Sequence, residues 1–449
     1  MTAYWFDRAW IDDGWQHDVR ITFSDGLIAS VEVGVPASPD DERHRAALPG
    51  LCNVHSHGFQ RGMAGLSERR GRPDDNFWSW REIMYHFLDR LTPDYVAAIT
   101  AQAYAEMLET GFTRVGEFHY LHNDPTGARY DDPAEMVSAI AAATDATGIG
   151  LTLLPVFYAH GNFDGAPPSP GQRRFLNDLD SFATLLDASR GKLTGDANMG
   201  IAPHSLRAVT ADELAALLKL APVGPVHIHA AEQVKEVEDC IAWSGKRPVE
   251  WLLANAHVDE RWCLVHSTHL TSSETTALAT SGAIAGLCPV TEANLGDGIF
   301  PAVEYLAQGG RFGVGTDSNI LINAADELRA IEYSQRLLHR ARAVLATEGA
   351  PNVGANLFAK AVTGGAQALD VATGLAVGRS ADIVTLNLEH PAFAGSDDDS
   401  LLDRWIFAGR HGTIASVWRA GRKVVEQGRH VSGDVIAENY RATLTRLLA

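Results

Sequence analysis

Two histidines, His55 and His57, end an apolar run that is entered through Pro49 and Gly50. In an extended strand, residues i and i+2 share a face, so both imidazoles aim at one point. A strand presents two metal ligands in this way. Alone the pair is weak evidence, because strand histidines are more often surface groups or satisfied core groups. Its meaning depends on what later segments bring to the same place. Polar, metal-competent residues recur at the ends of later apolar runs: Glu117, His119 and Tyr120; His204 and Arg207; His229 and Glu232; His266 and His269; and Asp317. Three neutral imidazoles and a carboxylate suit a borderline divalent ion such as zinc or iron. Four protein donors that leave room for water make an open, catalytic centre, and such an ion lowers the pKa of that water toward neutrality. Hydrolysis then still needs one group to shuttle a proton to a leaving nitrogen and another to orient or deprotonate the water. Glu232 and His266 are the groups left for that work.

The elements that must carry these residues are legible as periodicity. Apolar strand-like runs at 50–54, 113–118, 150–158, 199–203, 226–229, 263–266, 284–289 and 312–316 alternate with amphipathic segments at 94–109, 133–147, 173–188, 211–220, 272–281 and 325–345. Strand–helix alternation predicts a parallel sheet. Eight such units fit a (β/α)8 barrel, in which the carboxyl ends of the strands converge on one site. A doubly wound α/β sheet is the second choice, and no Gly-x-Gly-x-x-Gly follows the first strand to support it. A charged loop at 68–76 and a Gly/Pro-rich loop at 161–170 fall on the side where a barrel carries its chemistry. The two ends of the chain read differently. They alternate like short antiparallel strands, with Ser24-Asp25-Gly26 and Ala420-Gly421 as turn signals. The expected organisation is a small β-sandwich from residues 1–48 plus 376–449, beside a barrel at 49–375.

Composition sets bounds. The 449 residues are 46% hydrophobic and 21% charged, which is ordinary for a globular enzyme with a sizeable core. With 37 basic and 56 acidic side chains the formal charge is −19, which argues against a nucleic-acid or anionic-membrane partner. No basic segment followed by an apolar run opens the chain, so no signal peptide is expected, and no stretch is apolar enough to span a bilayer. Cys52, Cys240, Cys263 and Cys288 show no Cys-x-x-Cys spacing and read as small core residues, consistent with a reducing cytoplasm.

The pattern resembles the amidohydrolase superfamily over nearly the whole chain: a terminal sandwich, His-x-His after strand one, His after strands five and six, and Asp after strand eight. The form His229-Ala230-Ala231-Glu232 is similar to the deaminase branch, in which the glutamate transfers protons at a single metal. The binuclear branch carries a lysine after strand four, where this chain has His204, so one metal is expected. Within that branch, four stretches resemble the formimidoylglutamate deiminase family: His57-Gly58-Phe59-Gln60-Arg61, Phe77-Trp78-Ser79-Trp80-Arg81, Gly116-Glu117-Phe118-His119-Tyr120-Leu121-His122 and Pro203-His204-Ser205-Leu206-Arg207.

The resemblance implies metal at His55, His57, His229 and Asp317, with Glu232 and His266 as the acid/base pair and Asp317 also holding the water's proton. It implies substrate contacts from Gln60, Arg81, Tyr120, His204 and Arg207. One divalent metal per chain is expected, zinc first and ferrous iron second, in a homodimer. The implied activity is hydrolytic deimination of N-formimino-L-glutamate to N-formyl-L-glutamate and ammonia, a step of histidine degradation. The chemistry of the contacts agrees. A small dicarboxylate needs local cations in an acidic protein, and arginine grips a carboxylate with two parallel hydrogen bonds. Gln60, Tyr120 and His204 supply orienting hydrogen bonds.

Two other readings compete. One is a purine or triazine deaminase on the same site, although an aromatic heterocycle needs stacking and apolar lining rather than two arginines. The other is a metal-free barrel that binds an amino-acid derivative without chemistry. At single positions, Arg81 and Arg207 compete with surface salt bridges, and Phe77 to Trp80 reads as packing under a loop. His269, His119 and Glu292 carry no assigned role.

Overall fold

The computed structural model describes residues 3–68 and 76–449, so most of the charged loop expected at 68–76 lies outside the described residues. Four strands open the chain: β1 (Ala3–Ile11), β2 (Gly14–Ser24), β3 (Leu27–Glu32) and β4 (Glu42–Pro49). The next set comprises β5 (Leu51–Ser56), β6 (Phe112–His119), β7 (Gly150–Phe157), β8 (Asn198–Met199), β9 (Ala202–Pro203), β10 (Val226–Ala230), β11 (Trp262–His266), β12 (Ile284–Leu287) and β13 (Arg311–Val314). These pair in parallel in the order β10-β11-β12-β13-β5-β6-β7-β8, with β9 also on β7. Parallel bridges from Ile201 to Val226 and from Ser205 to His229 join the open side to β10 and close the ring.

The barrel strands are buried on both faces, which is why they read as continuous apolar runs rather than alternating ones. The expected fourth strand is present as two halves, β8 and β9, broken at Gly200. A β-carbon there would meet the Pro225 carbonyl oxygen at 2.2 Å, so the backbones approach too closely for any larger residue. The seventh strand stops at Leu287, earlier than expected, because Pro289 opens a helix, Pro289–Leu295.

Helices Pro93–Glu109, Glu135–Thr147, Ala211–Leu220 and Ser272–Thr280 lie where periodicity put them. The helix expected from residue 173 begins later, at Leu179, where Asp178 caps it by accepting from Ser181 N–H at 2.8 Å. The segment expected as a helix to residue 345 ends at His339, with Arg340 in the left-handed region. Helix Phe77–Leu88 was not foreseen. Asn76 caps it, with Ser79 Oγ accepting from the Asn76 N–H in return, so the Phe77 to Trp80 run is a first helical turn and not the underside of a loop.

The chain closes with β14 (Ile383–Leu386), β15 (Ile414–Arg419), β16 (Arg422–Glu426), β17 (Arg429–His430) and a final helix, Gly433–Leu448. Among the described residues, the strands of both ends make one sheet of eight, ordered β17-β16-β15-β14-β4-β1-β2-β3. The two ends meet where β14 runs antiparallel to β4. A bridge from Leu27 to Ser380 brings the β3 edge back toward β14, so the sheet curls into a sandwich around Phe6, Val19, Ile21, Ile28, Ile383 and Trp418. β4 runs through Gly50 directly into β5, the strand that carries His55.

Candidate active site

The first-strand histidines meet the distant residues expected of them. His229 Nε2 lies 3.2 Å from His55 Nε2, and Asp317 Oδ1 lies 3.5 Å from His55 Nε2 and 3.3 Å from His57 Nε2. The backbone sets which nitrogen faces inward. His57 Nδ1–H donates to the Phe118 carbonyl and His229 Nδ1–H to the His204 carbonyl, each at 2.9 Å, leaving both Nε2 lone pairs toward the centre. Burial keeps the rings neutral. It pushes His55 down to about 3 and lowers His57 and His229 as well. For Asp317, burial opposes ionisation. The bond to His55 and the neighbouring imidazoles, with His266 among them, outweigh that and hold the carboxyl well below its usual range. Three neutral imidazoles gathered within 4.8 Å of one another, with an ionised carboxylate against two of them, are a donor set that fits a divalent transition ion.

Asp317 is delivered by a turn stitched to β5. Its N–H donates to the His55 carbonyl at 2.9 Å, and its carbonyl accepts from His57 N–H at 3.0 Å. Asn53 in β5 donates to Thr316 Oγ1 at 2.7 Å and accepts from Thr316 N–H at 3.1 Å. Asn319 reaches back to Ser56 Oγ and the His57 carbonyl, both at 3.1 Å. A β-carbon at Gly315 would sit 2.8 Å from the His55 carbonyl oxygen, so only glycine lets the two backbones close. Ala231, His266, Asp317 and Asn319 all have φ between 44° and 67°. Left-handed backbone at non-glycine residues costs about 1–3 kcal/mol each and tends to cluster at functional sites.

Glu232 and His266 stand beside this centre. Both are buried, with His266 Nε2 3.8 Å from Glu232 Oε1 and 3.8 Å from Asp317 Oδ2. Burial raises the Glu232 carboxyl to about 7. Burial acts against the His266 cation, yet Glu232, Glu292 and Asp317 together push it up to about 10. Glu292 takes the role that the sequence left open: its carboxylate lies 3.3 Å from His266 Nδ1 and is anchored by Cys288 N–H at 2.9 Å. Glu117 is structural. It accepts from Gly58 N–H at 2.7 Å and from the Tyr104 hydroxyl at 3.1 Å, holding the turn after β5. His269 is half-buried, and its carbonyl accepts from Arg247. His119 and His122 meet edge to face, with ring centres 5.4 Å apart.

A cavity opens over the centre. Gln60, Arg81, Tyr120, His204 and Arg207 all line it, as do Glu232, His266 and Asp317. Gln60 Nε2 donates to the Tyr120 hydroxyl at 2.6 Å. Burial, then the charges of Arg207 and Arg81, keep His204 neutral. Arg207 is 5% exposed, and neither it nor Arg81 has a carboxylate partner among the described residues, so the surface-salt-bridge reading fails for both. Both guanidinium groups lie 5.7 Å from the Trp78 ring centre. The sequence reading missed Asn53, Thr316 and Asn319. Their signal was a polar residue inside an apolar strand and a second amide two positions beyond Asp317.

Known proteins share this architecture. The profile of the amidohydrolase family matches residues 46–424, and one described as the N-terminal domain of formimidoylglutamate deiminase HutF matches residues 1–45. The chain belongs to the amidohydrolase family. Formimidoylglutamate deiminase of Pseudomonas aeruginosa is 48% identical to it over 452 residues, covering 100% of both chains. The 8-oxoguanine deaminase of the same organism is 29% identical over 374 residues, covering 81% of this chain and 79% of its own. A crystal structure of an amidohydrolase from Brucella melitensis matches with a TM-score of 0.97 at 54% identity, covering 100% of each chain.

Proposed function

We propose that this chain hydrolyses N-formimino-L-glutamate to N-formyl-L-glutamate and ammonia, in histidine degradation. The observation that carries the reading is the pair of arginines, Arg81 and Arg207, which line one cavity together with the acid/base groups and form no ion pair with a carboxylate among the described residues. A desolvated guanidinium without an anion is costly, and a dianionic substrate supplies what both lack. The likeness to the Pseudomonas deiminase over the full length supports the same substrate.

His55, His57, His229 and Asp317 would hold one divalent ion, zinc before ferrous iron. When bound, the ion supplies Lewis acidity and a water acidic enough to attack at neutral pH. The chain's own groups do the rest. Arg81 and Arg207 hold the two carboxylates, while Gln60, Tyr120 and His204 orient the formimino group. Asp317 accepts the proton of the attacking water. Cationic His266, steadied by Glu292, stabilises the negative charge that builds as the formimino carbon becomes tetrahedral. Glu232 passes a proton to the departing nitrogen, which leaves as ammonia. Residues 49–375 act as the catalytic unit, and residues 1–48 with 376–449 as its supporting sandwich.

The substrate is a free small molecule. No helix among the described residues is long and apolar enough to cross a membrane, and the charge of −19 disfavours nucleic acid. A cytoplasmic homodimer completes the reading.

A purine deaminase is the second reading, supported by the aromatic lining from Phe77, Trp80, Tyr120 and Phe175 and by the 8-oxoguanine deaminase relative. Side-by-side assays of ammonia release separate the two. Formiminoglutamate should turn over with kcat/KM about 10⁴-fold or more above guanine or adenosine, the scale at which an unpaired buried polar group rejects a substrate. Preference for a purine would overturn the reading.

A further inference from the structure

The sequence assigns no chemistry to the end of the third barrel strand, yet every other residue of the site comes from a strand end or from the helix above it. Tyr158 stands there, directly after β7, 2% exposed and on the cavity wall beside Arg81 and Arg207. Its ring lies 4.6 Å from that of His204. A tyrosine hydroxyl has one proton to give and two lone pairs to accept with. Arg81 Nη2 donates to this oxygen at 3.2 Å and Gln172 Nε2 donates to it at 2.6 Å. The orientation of the Gln172 amide is fixed by its other end. Oε1 accepts from Ser169 N–H at 2.6 Å, and a backbone N–H can only donate. With both lone pairs engaged, the phenolic proton must go to a third group, and none among the described residues receives it. On the same wall, Tyr85 follows Arg81 by one helical turn, and its buried hydroxyl also has no partner among the described residues.

We infer that Tyr158 is a substrate-binding residue that donates its proton to the carboxylate held by Arg81, with Gln172 as the positioning residue that turns the hydroxyl toward it. The inference rests on the dicarboxylate reading above and deepens it. It makes the Arg81 end of the cavity a cradle that prefers carboxylate to carboxamide, since the phenol, its lone pairs already engaged, and the guanidinium can offer a ligand only donors.

The test measures kcat and KM of wild type and Tyr158→Phe on formiminoglutamate and on its two monoamides, N-formimino-glutamine and N-formimino-isoglutamine. Loss of one hydrogen bond to a charged group should raise KM for the diacid about ten-fold or more, with the loss falling on KM and not on kcat. For one monoamide, the one neutralised at the Arg81 end, the same substitution should raise KM several-fold less than for the diacid, because a bond to a neutral amide oxygen is weaker than one to a carboxylate. Equal losses on all three substrates, or no loss on the diacid, would overturn the assignment. Should Tyr158→Phe fail to fold, Gln172→Glu is read in the same way. It is isosteric, keeps an acceptor for Ser169 N–H, and draws the phenolic proton to itself, so it should also weaken selection for the diacid; wild-type selectivity would again overturn the assignment. A wild type inert toward formiminoglutamate overturns the proposed function and this inference with it, whereas an active wild type with either contrary result overturns Tyr158 alone.

Discussion

At the scale of single residues, the site divides into groups that hold, groups that move protons and groups that recognise. Glu232 belongs to the second kind. Burial leaves its carboxyl near 7, close to the pH at which a shuttle must both take up and release a proton. Glu232→Gln keeps the shape and removes the shuttle. It should retain full metal content and lose turnover by about 10²–10⁴-fold. Metal analysis beside a rate measurement checks this, and a rate within a few-fold of wild type would refute the role. Arg207 belongs to the third kind. Arg207→Ala should raise KM for formiminoglutamate by roughly 10–100-fold while barely affecting a neutral formamidine. Equal losses on both would mean that the arginine supports the fold and not the substrate. These residues were legible in the sequence because their types are chemically distinctive and because each stands at the end of an apolar run. Tyr158 and Glu292 were not, since a tyrosine or glutamate at such a place has many ordinary uses.

At the scale of elements, the account depends on how one turn is tied to one strand. Asp317 reaches the first-strand histidines because Asn53, Thr316 and Asn319 fasten residues 315–319 to β5. Asn319→Ala leaves Ser56 and the His57 carbonyl without their donor. Thermal unfolding should show a loss of about 2–4 kcal/mol, and metal affinity should fall about 10-fold or more although no ligand is changed. Unaltered affinity would place the control of Asp317 elsewhere. The parallel strands and the longer helices were readable from period alone. The broken fourth strand was not, because its interruption comes from the approach of Pro225 to Gly200, a tertiary event. The left-handed turns at His266 and Asp317 were hidden for a related reason: no glycine marks them, and the surrounding network imposes the conformation. Helix Phe77–Leu88, which carries Arg81, was overlooked because its aromatic run resembles packing and its Asn76 cap is a single residue.

At the scale of the whole molecule, the curled terminal sheet and the barrel share a continuous path from β4 into β5, so the strand bearing His55 is anchored at its start by Gly50 N–H donating to the Asp382 carbonyl at 3.1 Å. An ion bound by groups from three different strand ends should therefore brace the entire barrel. Chelation should abolish activity and lower the unfolding temperature by about 5 °C, as expected when a ligand present at about 1,000 times its Kd contributes ~4 kcal/mol to a chain of this size. Restoration of both by zinc is the expected control, and an unchanged melting curve with full activity would favour a barrel that needs no metal. The organisation into a barrel with a sandwich from both ends was visible in the sequence, because β-type alternation flanks a strand–helix alternation. The pairing of β14 with β4 was not, because register between distant strands leaves no local signal.

The formimino carbon carries two C–N bonds, and the site described here breaks the outer one. The most direct measurement follows formiminoglutamate through complete turnover in ¹⁸O-labelled water and identifies the products. The account predicts ammonia and N-formyl-L-glutamate in equal amounts, with the label in the formyl oxygen. Glutamate and formamide as products, or no ammonia at all from a metal-loaded enzyme, would contradict it.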